Sequence, residues 1–293
     1  MDLFVEQVLN GIGFGVVYGS VALAIVMIYR VTHLLNFAQG EMALFSTYIS
    51  WKFTGEMPVV LAILLSMALA FVAGAIIERV LIRPVEEGRN PLNVVIVTLG
   101  MFLAINSLAQ LIFGTDPQQM EAPWPDGRLD LAGTDIRNST IALMVVLAVE
   151  CLLLWLLMQK TRIGLKMRAV AANPESSRLV GINTGVILML GWALAAAIGA
   201  LAGSLVAARQ GSFDSTTMQV VLVYAFAAAA LGGFESLVGA VVAGLIVGVS
   251  QTLTIQYIDA LDGIDLVVPL GLILLVLIVR PNGLFGRKTV ERV

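Results

Sequence analysis

The sequence predicts an all-α, polytopic transmembrane helix bundle of about eight to nine spans, with an inverted repeat and two short broken segments. Three observations lead there. Of the 293 residues, 59% are hydrophobic and 13% charged, and the mean hydropathy is +0.94. A soluble domain carries about 25% charged residues, so roughly half that density covers a lipid-facing surface better than a wet one. The charges are gathered into a few clusters between long uncharged runs, which leaves the formal net charge of −3 uninformative. Finally, one glycine pattern occurs twice, near the start and again two-thirds of the way along.

Each run is judged against a hydrocarbon core about 30 Å thick, which takes roughly 20 helical residues to cross. Runs at or near that length occupy residues 8–29, 58–77, 93–113, 140–158, 186–208, 236–255 and 265–279; two shorter ones occupy 36–51 and 220–234. The opening MDLFVEQVLNGIGFGVV lacks the basic region and cleavage site of a secretory signal, so the first run is expected to be a retained span. If all nine segments cross, the termini face opposite sides. The connections at 30–35, 78–92 and 159–185, Glu235 and the tail from Arg280 hold 13 of the 17 basic residues; the other side holds four basic and twelve acidic ones, among them Asp259, Asp262 and Asp265. Lysine and arginine favour the cytoplasm, so the N-terminus is expected outside and the C-terminus inside.

The repeat is read from Gly15-Val-Val-Tyr-Gly19-Ser20 and Gly199-Ala-Leu-Ala-Gly203-Ser204, each followed sixteen residues after its serine by a short segment, at Asn36 and at Val220. By the orientation above the two copies run in opposite directions. Short segments of inverted repeats commonly flank a pathway at the membrane midplane. The same glycines also suit close helix packing by small residues. The expected organisation is one transmembrane domain over 1–293, with repeat halves at about 8–113 and 186–280 and a cytoplasmic loop at 159–185.

Catalytic chemistry is sparse. Cys151 and His33 are the single cysteine and histidine, too few donors for a zinc site. Gly283-Leu-Phe-Gly286-Arg287-Lys288-Thr289 has the wrong spacing for a phosphate loop, and neither HExxH nor GxSxG occurs. No cofactor, metal or nucleic acid is expected, and the chain is not expected to be an enzyme. Two acids, Glu41 and Glu150, lie in apolar runs. A carboxylate there costs about 2.5–3.5 kcal/mol even on lenient insertion scales and normally faces the protein interior. Glu41, beside Gln39 and Asn36, suits either a pathway or a helix-to-helix hydrogen bond, whereas Glu150 stands alone and suits packing. In the 159–185 loop, Asn173 is a capping residue, Pro174 suits a first helical position and Glu175 the positive helix end, so a short surface helix is expected from about 174 to 180, ended by Gly181.

Several stretches occur together and in order. They are Gly15-Val-Val-Tyr-Gly19-Ser20-Val-Ala-Leu-Ala, Leu35-Asn36-Phe37-Ala38-Gln39-Gly40-Glu41 and Ile77-Glu78-Arg79-Val80-Leu81-Ile82-Arg83-Pro84. Thr161-Arg162-Ile163-Gly164 through Arg168-Ala169 and Val180-Gly181-Ile182-Asn183 follow, then Leu231-Gly232-Gly233-Phe234-Glu235-Ser236 and Arg280-Pro281-Asn282-Gly283-Leu284-Phe285-Gly286. Over essentially the whole chain they resemble the H-type permease of branched-chain amino-acid ABC importers. Two positions depart from it: Gln39 stands where many members have histidine, and the usual glycine-arginine pair of the inner loop reads Gly164-Leu165-Lys166. The resemblance implies a bacterial inner-membrane permease subunit that carries amino acids or similar small polar solutes by alternating access. It also implies a second related permease, two cytoplasmic ATPase subunits and a periplasmic binding protein. Tyr18, Ser20, Asn36, Phe37, Gln39, Gly40 and Glu41 are then expected on the pathway, and Arg168, Asn173, Pro174, Glu175, Arg178, Gly181 and Ile182 at the ATPase coupling surface. A secondary carrier or a channel would suit the repeat and the buried acids equally, but would not need such a loop.

Overall fold

The computed structural model describes residues 2–86, 91–131, 134–258, 264, 266–280 and 282–286. Arg89, Asp259, Asp262, Asp265 and the tail from Arg287, all used above to orient the chain, lie outside the described residues. In order, the helices are α1 (Asp2–Thr32), α2 (Gln39–Thr54), α3 (Val59–Ile77), α4 (Arg83–Glu86), α5 (Pro91–Phe113), α6 (Asn138–Lys160), α7 (Arg162–Ala172), α8 (Pro174–Leu179), α9 (Thr184–Gln210), α10 (Thr217–Gly232), α11 (Leu237–Tyr257) and α12 (Val267–Val279). A π turn, Glu78–Ile82, joins α3 to α4. Each of the nine apolar runs has its helix.

Among the described residues, six helices are long and apolar enough to cross a membrane. The last run, read as residues 265–279, is shorter in the structure: α12 has 13 residues, about 20 Å at 1.5 Å per residue. Pro269 falls in its first turn, where a missing N–H costs nothing. The helices differ in how they are sheathed. In α1, 89% of the most apolar stretch is buried, against 17% in α5, whose Leu103 and Leu111 are 66% and 82% exposed. Such a face is stable against lipid, because the helix satisfies its own backbone hydrogen bonds and offers only hydrocarbon outward.

Two ladders of two strands each, which the apolar pattern did not suggest, lie within this helical fold. β1 (Gln118–Gln119) pairs antiparallel with β4 (Ser212–Phe213), while β2 (Arg128–Leu131) and β3 (Thr134–Arg137) form a hairpin. After β4, Asp214 closes the turn into α10 by accepting from the backbone and hydroxyls of Thr216 and Thr217 at 2.8–3.1 Å. Partial burial raises its pKa, but those hydrogen bonds outweigh burial and hold the carboxyl below its ordinary value of 3.8. The turn's stabilisation is therefore complete above that value and is lost as pH falls through the lowered one.

The chain folds as two compact units. The first contains Met1–Val26, Trp124–Met144 and Val220–Val293. Its centre is a backbone-to-backbone seam between α1 and α11: a Cβ built on Gly15 would stand 2.6 Å from the Leu245 Cα, and one on Gly244 would stand 2.5 Å from the Gly19 Cα. Gly248 meets Gly15 in the same way. Thr252 adds a hydroxyl bond of 3.0 Å to the Gln7 carbonyl. Two of the quoted stretches turn out to be one contact here, since Leu284 and Phe285 donate backbone N–H groups to the carbonyls of Leu231 and Gly232 at the end of α10. Gly233 and Gly283 have φ of +91° and +77° and touch each other's backbone, a double condition that glycine alone meets without strain.

The second unit contains Met27–Pro123 and Val145–Gln219. Here α9 is the central helix, lying against α2 and α3. Gly74 of α3 faces Ala196 and the Trp192 carbonyl, and Gly203 of α9 faces Thr47 and the Ala43 carbonyl. Ser66 of α3 donates a hydroxyl bond to the Ser46 carbonyl of α2. The glycines of both copies of the repeated pattern thus make the close packing that small residues permit.

Candidate functional site

Within the second unit the break between α1 and α2 is short and polar. It comes before the glycine rather than at it: α2 starts at Gln39 and runs unbroken through Gly40. Asn36, expected as the first residue of that segment, instead precedes the helix and turns the chain into it. Its Oδ1 accepts from the Ala38 N–H at 3.0 Å and its Nδ2 donates to Gln39 Oε1 at 3.2 Å. Gln39 in turn donates to the Ala195 carbonyl at 3.0 Å and lies against Gly199. Ala195 and Gly199 are near the middle of the 27-residue α9, so α2 begins about halfway along its neighbour.

Glu41, fully buried in the first turn of α2, gathers two further elements. Its carboxylate accepts from Asn106 Nδ2 of α5 at 2.9 Å and from Gln219 Nε2 of α10 at 3.1 Å. Asn106 also donates to the Ser215 carbonyl at 2.7 Å and accepts from Gln110 at 2.6 Å. This is a helix-to-helix hydrogen-bond node. One aromatic wall lies beyond it on α2, where Tyr48 stacks on Phe113 at 4.9 Å and tilts against Phe213. Asn106, Gln110 and Gln219 were missed in the sequence. The signal was available, since Asn106 and Gln110 sit four apart in an uncharged, mostly apolar span, the spacing that puts two side chains on one helix face.

Phe37 is half-buried in the break and Gly40 buried at the start of α2. Tyr18 and Ser20 belong to the first unit. Tyr18 stacks on Tyr224 of α10, centroids 4.6 Å apart, and donates its hydroxyl to Gln251 Oε1 at 2.7 Å, while Ser20 is buried on α1. Glu150, on α6, is buried as well.

The 159–185 loop holds two helices. Thr161 caps α7, accepting from the Gly164 N–H at 3.0 Å, and Gly164 is pressed onto the Leu157 and Met158 backbone. Arg168 reaches back to Gln159 at 3.0 Å, tying α7 to the end of α6. The expected capped helix is present as α8. Asn173 Oδ1 accepts from the Ser176 N–H at 2.8 Å, Pro174 opens the helix and Glu175 lies in its first turn. Gly181 has φ +84°, and the Ile182 N–H returns to the Ser177 carbonyl, a Schellman closure. Arg178 donates to Thr184 Oγ1 at 2.9 Å. The ends of α8 are therefore fixed, yet Leu179 and Val180 are 89% and 76% exposed at its tip.

A second polar anchor was also missed. Glu78, buried in the π turn, accepts three hydrogen bonds from the Arg83 guanidinium at 3.0–3.1 Å, and the same guanidinium reaches the Gly185 carbonyl at 2.5 Å at the start of α9. Residues five apart on a regular α-helix point about 140° away from one another. The i→i+5 turn brings them together.

The comparisons with known proteins concur in one direction. Residues 7–277 match a family described as branched-chain amino acid transport system / permease component. The high-affinity branched-chain amino acid transport system permease protein LivH of Escherichia coli (strain K12) is 30% identical over 304 residues, covering 99% of this chain and 98% of that one. BraD of Pseudomonas aeruginosa, named likewise, matches with the same identity and coverage. Among solved structures, a chain of PsaBC from Streptococcus pneumoniae in complex with Fab superposes with a TM-score of 0.50. It is 13% identical, over 95% of this chain and 92% of that one, a likeness of fold.

Proposed function

This chain belongs to the permease-component family of branched-chain amino acid transport systems, and on that premise we propose that it carries a branched-chain amino acid across the inner membrane by alternating access. ATP is hydrolysed in two cytoplasmic partner subunits, a periplasmic binding protein delivers the solute, and a second related permease completes the pathway. The reading rests above all on α2, which begins halfway along α9 with Asn36, Gln39 and Glu41 buried around its start. Irregular polar backbone at mid-depth is tolerated where it is buried in protein or lines a cavity. In this reading Asn36, Phe37, Gln39, Gly40 and Glu41 of the second unit are pathway residues, and so are Tyr18 and Ser20 of the first.

The inverted repeat, with halves at about 8–113 and 186–280 in one transmembrane domain, has support in how each unit is composed. The first unit joins α1 to α10 and α11, and the second joins α9 to α2 and α3. That reciprocity is what an inverted repeat with exchanged leading helices produces. The N-terminus is periplasmic and the C-terminus cytoplasmic in this reading. Single cysteines at Asp126 and Thr289 in a Cys151→Ser background test it. A membrane-impermeant thiol reagent on spheroplasts is expected to label the first alone, and labelling of the second alone would reverse the topology.

α8 is the coupling element, together with Arg168, Asn173, Pro174, Glu175, Arg178, Gly181 and Ile182. Its rigid caps and the exposed pair Leu179 and Val180 suit insertion into an apolar groove of the ATPase. In proteoliposomes holding the assembled transporter and saturating binding protein, leucine uptake is expected to require ATP. Arg178→Glu is expected to weaken ATPase association or separate hydrolysis from uptake. ATP-independent uptake would favour a carrier or channel, and a fully active Arg178→Glu would reduce α8 to a connector.

A further inference from the structure

Among the described residues His33 is the one non-glycine residue with a positive φ, +57°. Histidine visits this left-handed region more readily than most residues, yet glycine would occupy it at lower cost. A strained position persists when its surroundings hold it there. The surroundings are specific. The His33 N–H makes the closing bond of α1 to the Tyr29 carbonyl at 2.7 Å, and the ring stands edge-on to Tyr29 at 5.8 Å. Thr32 Oγ1 donates to the Ile28 carbonyl and accepts from the Leu34 N–H, fixing the turn on both sides. From that turn the imidazole Nε2 reaches the Ala171 carbonyl, 3.3 Å away.

Ala171 lies in the last turn of α7, and Asn173 is both the C-cap of α7 and the N-cap of α8. One residue therefore ends the first helix with its backbone N–H, bonded to the Ala169 carbonyl, and starts the second with its side chain, so a tilt of α8 is passed to the last turn of α7 and its Ala171 carbonyl. On the other side, Asn36 is three residues beyond His33 and holds the start of α2 through Ala38 and Gln39. We propose that His33 is a positioning residue that passes displacement of the α7–α8 junction to the break before α2. The link is short, polar and made of elements with fixed ends, the kind of hydrogen-bonded chain between rigid elements that carries coupling from one site to another. It rests on α8 being the coupling element.

The test is made on the assembled transporter in proteoliposomes, with uptake of leucine and ATP hydrolysis measured together. His33→Gly keeps the backbone conformation and deletes the ring, while His33→Gln offers an amide donor of similar reach. His33→Gly is expected to assemble and bind ATPase as the wild type does, and to lower leucine carried per ATP by roughly fivefold or more, the low end of coupling factors between linked sites. His33→Gln is expected to recover most of that ratio. Wild-type stoichiometry in His33→Gly overturns the proposal, and so does an equal fall in both variants. Arg178→Glu is run alongside: if it alone is defective, the transmission through His33 is wrong while the coupling role of α8 stands. If Arg178→Glu is fully active, the coupling reading fails and the proposal with it.

Discussion

Glu41→Leu is expected to abolish most uptake while leaving the protein in the membrane. The carboxylate holds Asn106 and Gln219, so leucine takes away the acceptor of the Gln219 amide and one of the two acceptors of Asn106 Nδ2. An unpartnered buried polar group costs about 1–3 kcal/mol. Placed on one state of a transport cycle, that is a shift of roughly 5- to 150-fold in its population. Asn36→Leu acts by another route: it removes the turn bond to the Ala38 N–H and the bond to Gln39, so the start of α2 loses its fixed position. Both variants, and Gly40→Leu, are expected to bind ATPase and hydrolyse ATP. Uptake per assembled transporter, with the binding protein saturating, is the deciding measurement, and wild-type rates in all three would move the pathway elsewhere. Glu41→Gln, which keeps shape and one acceptor, is expected to fall between.

Gly15→Leu is expected to remove the protein almost entirely, as judged by the amount of monodisperse material recovered in detergent. At Gly15 the added Cβ alone would stand 2.6 Å from the Leu245 Cα and 2.8 Å from the Gly244 carbonyl oxygen, and backbone cannot move aside as a side chain would. Over-packing a well-packed site typically costs about 1–3 kcal/mol even where side chains can adjust; here two helices must separate. Gly100→Leu is the internal control, with nothing within 4 Å of its added Cβ, and is expected to yield as wild type. Equal yields for the two would mean that the seam between α1 and α11 is looser than described.

The elements legible in the sequence were those with a local cause. Apolar runs are set by the thickness of hydrocarbon, so nine helices could be marked before any contact was known. α8 was legible because Asn173, Pro174 and Gly181 each act within a few residues of themselves. Glu41 was legible as a buried acid but not as a node, because its partners are 65 and 178 residues away in the chain. The strands β1 and β4 escaped for the same reason: two residues on either side carry no periodicity, and only the meeting of distant loops makes them a ladder. Glu78 and Arg83 were read as parts of a motif. Five residues apart, they look unrelated on a regular helix, and the pairing became visible once the π turn was known.

That wide turn stores a residue out of phase. Everything in α4 is rotated, relative to α3, by the angle one extra residue adds, about 100° on a helix of 3.6 residues per turn. The Arg83 guanidinium reaches Gly185 because of this offset, so in this chain the alignment of α9 with the end of α3 rests on the wide turn as well as on a side chain. A relative with one residue fewer between the acid and the arginine would make the same clasp on α9 from an ordinary i, i+4 pair, with no wide turn at all. In such a chain the clasp would survive a change of spacing, because what is held in common is the place of the guanidinium and not the number of residues before it.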